Sequence, residues 1–169
     1  MTSTEIQRLI EKLNYENSEM RDLLIEIIQT FDSHEERIGT LSWGNQLLSG
    51  SKDKTIALQD PRLQTPKVAY FKSHSSEICK LTWSPCNEIF ASGGNDNKFY
   101  TWSLKSPVPF FKGSHNAGVR ALSWSKNQFR VLYSGGGTGD GELKAWNVEK
   151  KELLWKRQTT SQICSIETL

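Results

Sequence analysis

The residues of this 169-residue chain with the most obvious chemistry are its histidines, and they keep fixed company. His74 is followed by Ser92 and Asp96, and His115 by Ser134 and Asp140. Serine, histidine and aspartate are the parts of a nucleophilic triad, in which the imidazole takes the hydroxyl proton and the carboxylate orients the ring. The stretch "FASGGNDNKFYTW" (90–102) adds glycines and amides, which can cradle a phosphate, hold a metal, grip a partner or simply turn the chain. Spacing separates these readings. The three histidines lie about forty residues apart and make no ligand cluster. "SGGGTGDG" (134–141) shares only its glycine count with a phosphate loop, since it has no GK[ST] ending and joins two expected strands. The Ser, His and Asp recur unit after unit, and a chain with three equivalent active sites would be a strange hydrolase. No nucleophile pairs with a base outside those positions. The chain is therefore read as a non-enzyme, with no catalytic residue, no metal site and no cofactor.

The elements that hold these residues repeat. "RIGTLSW" (37–43), "EICKLTW" (77–83), "GVRALSW" (118–124) and "QICSIET" (162–168) start 40, 41 and 44 residues apart. Their apolar residues alternate, as a half-buried strand requires. Each of the three histidines stands nine residues before a tryptophan: His34–Trp43, His74–Trp83, His115–Trp124. The second half of each unit has its own grammar in "LLSGSKDKTIALQD", "FASGGNDNKFYTWS" and "LYSGGGTGDGELKAWN". A strand ends in Ser-Gly, a turn with Asp follows, and another strand leaves. Glycine, Asn and Asp suit such turns because they accept positive φ or bond their own backbone. A unit of 40–45 residues and several short antiparallel strands is the WD-repeat blade of a β-propeller.

The expected architecture is all-β: a partial WD-repeat propeller of about three blades plus the start of another, preceded by a helical segment. The blades are 34–73, 74–114 and 115–160, with 161–169 incomplete. In such blades the polar residues form a buried hydrogen-bond chain, because a buried indole N–H and both imidazole nitrogens need partners. The expected sets are His74, Ser92, Trp102 and Asp96, and His115, Ser134, Trp146 and Asp140. In the first unit Gln59 stands where the tryptophan is expected. Propellers usually close with four to eight blades. Three open ones leave exposed edges, which reads as a fragment of a longer product, as self-association that covers those edges, or as cover by the N-terminal segment.

That segment, 1–33, carries seven acids and three bases, against twelve acids and eighteen bases in 34–169. Ile6, Leu13, Met20 and Ile27 are seven apart, Leu9, Ile10, Leu23, Leu24 and Phe31 fill the adjoining stripe, and Thr2-x-x-Glu5 could be a capping box. Glu16 and Asn17 interrupt the stripe. The readings are an amphipathic helix packed on its own domain, a partner-binding or coiled-coil helix, or, for 25–31, the outer strand of a preceding blade. Its acidic start and lack of a long apolar run exclude a signal peptide, and no run approaches the length of a membrane helix. Cys79, Cys86 and Cys164 are odd in number and lack CxxC spacing, so they read as free thiols. The scattered lysines make no aromatic-interleaved basic stripe, which leaves nucleic acid out.

The order of the loop motifs is more specific than any one of them. Gly93-Gly94-Asn95-Asp96-Asn97 is followed by Gly135-Gly136-Gly137-Thr138 and then by Ser161-Gln162-Ile163-Cys164. In this the chain resembles the central blades of the Fizzy and Fizzy-related (Cdh1-type) activators of the anaphase-promoting complex, where GGNDN, GGGT and SQVC come in that order. The family's "RVGxLxWN", "LSSGSRxGxI" and "HDVR" are matched by "RIGTLSWGN", "LLSGSKDKTI" and "QDPR" (59–62), so Gln59 is a point of agreement. The resemblance covers roughly residues 34–168.

It implies a substrate-recognition and activator subunit of a cell-cycle ubiquitin ligase, found in nucleus and cytoplasm. Its partners would be subunits of the complex and degron-bearing substrates or inhibitors. The family binds the KEN degron on the propeller's top face near the central channel, and the residues that correspond here are Asn95, Asn97 and Thr138. The alternative for Asn95 and Asn97 is that they only stabilise their turn. There are departures. No ligase-docking box is apparent, the chain ends in "SIETL" rather than Ile-Arg, and the first and last blades that hold the family's other degron are missing. Lys98 replaces an apolar residue, and 139–141 a more polar loop. The competing function is a generic WD-repeat interaction scaffold without degron binding.

Overall fold

The computed structural model describes residues 33–63 and 67–168. The expected N-terminal helix and the alternative strand at 25–31 lie outside these residues. Twelve strands form three antiparallel sheets, each meandering in sequence order. The first sheet holds β1 (Ile38–Trp43), β2 (Leu47–Ser51), β3 (Thr55–Gln59) and β4 (Lys67–Lys72). The second holds β5 (Ile78–Trp83), β6 (Ile89–Gly94), β7 (Lys98–Ser103) and β8 (Phe111–Ser114). The third holds β9 (Val119–Trp124), β10 (Val131–Gly136), β11 (Glu142–Asn147) and β12 (Glu152–Gln158). These are the blades of a partial WD-repeat propeller, and there is no helix among the described residues.

Local chemistry sets the turns between the second and third strands of each sheet. The residue after each turn aspartate has positive φ: 72° at Lys54, 64° at Asn97 and 60° at Gly141. The aspartate makes this conformation tolerable by accepting the amide two residues on. Thr55 N donates to Asp53 at 2.8 Å, and Lys98 N to Asp96 and Glu142 N to Asp140 at 3.2 Å. The carboxylate thus closes its own turn, and the next strand starts in register.

Successive sheets pack through a seam of constant design. A Cβ at Gly50 would stand 2.7 Å from Cγ2 of Ile78, one at Gly93 2.5 Å from the Val119 carbonyl oxygen, and one at Gly135 2.5 Å from Cγ2 of Ile163. The serine of each Ser-Gly pair points into its own sheet, and the glycine lets the next inner segment approach. At the far end of the inner strand an indole crosses the seam: Trp83 Nε1 donates to the Ser42 carbonyl and Trp124 Nε1 to the Thr82 carbonyl, both at 3.2 Å. Phe71 of the first sheet meets Phe90 of the second edge-on, with ring centres 5.0 Å apart. Phe99 and Phe111 of the second flank Trp146 of the third.

What a preceding sheet contributes is visible by comparing equivalent positions. Ile78, Leu81 and Trp83 are 0%, 2% and 9% exposed, whereas Ile38, Leu41 and Trp43 are 46%, 60% and 65% exposed. Their sequence pattern is the same; only the second set lacks a described sheet in front of it. Burying such side chains is worth about 1.5–3 kcal/mol each, so most of a blade's stability comes from its neighbour.

A further blade begins after the third sheet, without forming a strand. The segment 162–168 has the alternation of an inner strand but is not one. A strand needs a ladder partner, and no described strand pairs with it. It is held to the third sheet by single bonds instead, from Ile163 N to the Gly136 carbonyl at 3.0 Å and from Thr168 Oγ1 to the Trp124 carbonyl at 2.8 Å.

The seam predicts a large cost for a small change. Gly93→Ala drives a methyl group into the Val119 backbone oxygen, which cannot rotate away, and should lower unfolding free energy by about 1–3 kcal/mol. The urea midpoint measures this. An unchanged midpoint would mean that the seam has slack the distances deny.

Candidate peptide-binding face

The sheet register places all three turn loops at one end of the molecule. The start of each inner strand pairs with the end of the second strand: Ile38 with Ser51, Ile78 with Gly94, Val119 with Gly136. Backbone bonds then close each turn onto its inner strand. Lys52 N donates to the Arg37 carbonyl at 3.0 Å, and Asn95 N to Glu77 and Gly137 N to Gly118, both at 2.9 Å.

Under this face lie the polar chains expected from the repeat. Trp102 Nε1 donates to Ser92 Oγ at 2.9 Å, Ser92 Oγ lies 2.8 Å from His74 Nε2, and His74 Nδ1 lies 3.0 Å from both Asp96 oxygens. In the third sheet Trp146, Ser134, His115 and Asp140 repeat the chain at 2.8, 2.8 and 2.7 Å. Every link is satisfied if Nδ1–H donates to the carboxylate and the serine hydroxyl donates to Nε2. Asp96 and Asp140 also accept the amides of Ser75 and Asn116, at 3.0 and 2.8 Å. The serine hydroxyls are buried and committed to these bonds, so the trios brace the loops. In the first sheet His34 reaches Ser49 and Asp53, but Gln59 turns away from Ser49 and donates to Ser33 Oγ.

The three side chains proposed to meet a peptide sit on the outer side of these turns. Asn95 Nδ2 lies 3.4 Å from Glu77 Oε2, Asn97 Nδ2 donates to the Asn116 carbonyl at 3.3 Å, and Thr138 Oγ1 donates to Gln162 Oε1 at 2.6 Å. Each therefore touches a different neighbour: the residue just before the inner strand of its own sheet, the loop before the next sheet, and the segment after the third. Thr138 is exposed, and Asn95 and Asn97 are half-buried.

Sequence reasoning missed what lies beside Asn95. Glu77 accepts Arg37 Nη2 with both oxygens, at 2.8 and 3.0 Å, across the first seam. That contact raises the Arg37 guanidinium above its ordinary value. Arg37, Glu77, Cys79, Lys80, Arg120 and Cys164 line a cleft of about 480 Å³. Burial pushes the Cys79 thiol up, so it stays protonated. With three cations to one acid, the cleft favours an acidic group. The signal was available: Cys79, Arg120 and Cys164 occupy the third position of three aligned segments, and Gly39 that of the first.

One metal-like cluster exists among the described residues. Ligand atoms of His115, Asp140 and Glu142 lie within 4.8 Å of one another. Each is already engaged, however, His115 by Asp140 and Ser134, and Glu142 by Lys144 and Lys156 at 2.9 and 3.0 Å.

Comparison with known proteins gives a consistent picture. The WD domain, G-beta repeat family matches residues 25–60, 65–103 and 105–147. Protein FIZZY-RELATED 1 of Arabidopsis thaliana is 43% identical over 141 residues, covering 82% of this chain and 30% of that protein. APC/C activator protein CDH1 of Saccharomyces cerevisiae is 40% identical over 142 residues, covering 82% of this chain and 25% of that protein. A chain in the crystal structure of the Mitotic Checkpoint Complex superposes with a TM-score of 0.79 at 36% identity, covering 82% of this chain and 43% of that one. The chain thus spans less than a third of the length of these two curated relatives.

The buried chains make stability fall in acid. Burial lowers the His115 imidazole below its ordinary 6.5, with Asp140 opposing, so the unfolded chain takes up a proton more readily than the folded one. Burial acts to raise Asp96 and Asp140, but the bonds from their histidines and from backbone amides outweigh it, and both carboxyls end below the ordinary 3.8. Both kinds of group give stability that is present at high pH and lost as pH falls. The urea midpoint should hold above pH ~7, decline as pH drops through the imidazole range, and decline again below pH ~4. A flat profile from pH 7 down to 5 would contradict the His115 assignment.

Proposed function

The chain belongs to the WD domain, G-beta repeat family, and from that premise we propose that it recognises degron peptides as a substrate-binding, activator-type module of the anaphase-promoting complex. A protein named as an activator of that complex, CDH1 of Saccharomyces cerevisiae, is its relative at 40% identity. The observation that carries the reading is the grouping of Asn95, Asn97 and Thr138 on one face, from three bracing contacts, next to a cleft rich in cations. Amide and hydroxyl groups suit the mixed charged and amide side chains of a KEN motif, because each can donate and accept. The module is non-catalytic on this reading. Its partners are subunits of the ligase and degron-bearing substrates or inhibitors, and it works in nucleus and cytoplasm.

A second reading, a WD-repeat scaffold without degron binding, is favoured by one fact: each of the three side chains already has a partner within the chain. Binding a peptide must replace those contacts, which are long at Asn95 and Asn97 and short at Thr138. The two asparagines are therefore the ones free to exchange.

Fluorescence anisotropy with a labelled KEN-containing peptide separates the readings. Weak, saturable binding is expected below millimolar protein. Asn95→Ala combined with Asn97→Gly, which keeps the positive-φ turn, should weaken it about ten- to thirty-fold, roughly 1 kcal/mol for one net hydrogen bond at each site. No binding by the folded chain at millimolar concentration would leave the scaffold reading standing.

A further inference from the structure

The opposite end of the blades carries a second recognition feature that the turn face does not use. There the 84–88 turn of the second sheet and the 125–130 loop of the third stand side by side. A cavity of about 260 Å³ opens between them, walled by Pro85, Cys86, Trp124, Phe129 and Arg130, with Lys126 at its side. Phe129 is 72% exposed, the most exposed large apolar side chain among the described residues.

The loops are built to hold this arrangement. Buried Ser84 and Ser125 anchor them. Asn87 N donates to the Ser84 carbonyl at 2.9 Å, and Gln128 N to Ser125 Oγ at 3.0 Å. Each then bends through a non-glycine residue of positive φ, 55° at Asn87 and 58° at Arg130. The Arg130 guanidinium lies over the Phe129 ring, 4.9 Å from its centre. Arg130 reaches Glu88 across the seam only at 3.4 Å, and Glu88 is itself two-thirds exposed. Lys126 and Arg130 thus line an apolar hole, and Arg130 is only loosely held by Glu88.

We infer that this cavity docks a short acidic peptide segment of a partner protein, an apolar side chain filling the space between Trp124, Pro85 and Phe129 while a flanking carboxylate takes Arg130 and Lys126. Charge complementarity selects an acidic segment over a basic one. Phe129 closes over the inserted side chain, which supplies the burial the ring lacks in the free chain. The site lies at the far end of the inner strands from Asn95, so it works whether or not the turn face binds degrons.

Cys86 in the cavity wall provides a site-specific readout, and exposed Cys164, which lines the cationic cleft of the turn face, reports separately on acidic peptide bound there. The rate of iodoacetamide alkylation at each thiol is followed by mass spectrometry on the whole chain, with and without millimolar acetyl-DELFDE-amide. Cys86 should be protected several-fold by DELFDE, whereas any slowing at Cys164 should be the same with DELFDE and DESSDE. The peptides DESSDE and KKLFKK should not protect Cys86. Lys126→Glu, an exposed change that leaves the loop bonds intact, should weaken protection by DELFDE. Equal Cys86 rates with and without DELFDE, or equal protection of Cys86 by DESSDE, would overturn the inference. A KEN peptide acting through Asn95 and Asn97 leaves the Cys86 rate unchanged, so the two sites are tested apart.

Discussion

At Gly50, Gly93 and Gly135 the backbone of one sheet lies against the inner segment of the next with no room for a methyl group. That closeness lets residues from different sheets meet at all. Arg37 reaches Glu77, Asn97 reaches Asn116, and Arg130 reaches Glu88 only because the seam holds adjacent sheets at bonding distance. The indoles of Trp83 and Trp124 pin the other end of the same seams. Each gives a buried indole N–H the acceptor it needs. The two ends of the molecule are therefore coupled to one packing constraint, and both candidate recognition features are assembled across it.

The buried polar chains have a different job. A Trp–Ser–His–Asp series adds little net energy, since each group exchanges a water bond for a protein bond. It adds order, because every member must be in place or a buried polar group is left alone. In the second and third sheets it ties the third strands, β7 and β11, to the turn aspartates that close the loops bearing Asn95, Asn97 and Thr138. The first sheet does without the indole, and its turn carries no candidate contact residue. The polar chain is complete where a turn is asked to present side chains accurately.

The repeat made much of this legible. Fixed His-to-Trp spacing, the Ser-Gly pairs and the turn aspartates mark every sheet and every polar chain, because each is set by residues close in sequence or one period apart. What escaped depends on neighbours the pattern does not encode. Trp43 and Trp83 look alike in sequence, yet only Trp83 crosses a described seam. The segment 162–168 reads as a strand by alternation and is none, since pairing belongs to the partner and not to the pattern. Arg37 and Glu77 begin two aligned segments with nothing in the sequence to pair them, yet across the seam they form the ion pair beside Asn95. The lower cavity was invisible because its form comes from two loops of unlike length meeting between sheets.

The central claim is that the seams bring Asn95, Asn97 and Thr138 to one face that receives a peptide. Backbone amide chemical shifts of the isotope-labelled chain, recorded as a KEN-containing peptide is added, address it residue by residue. The shifts should concentrate at 77, 95–97, 116 and 137–138, spanning two sheets and the seam between them. Shifts confined to 84–88 and 125–130, or none in a well-dispersed spectrum at millimolar peptide, would contradict it.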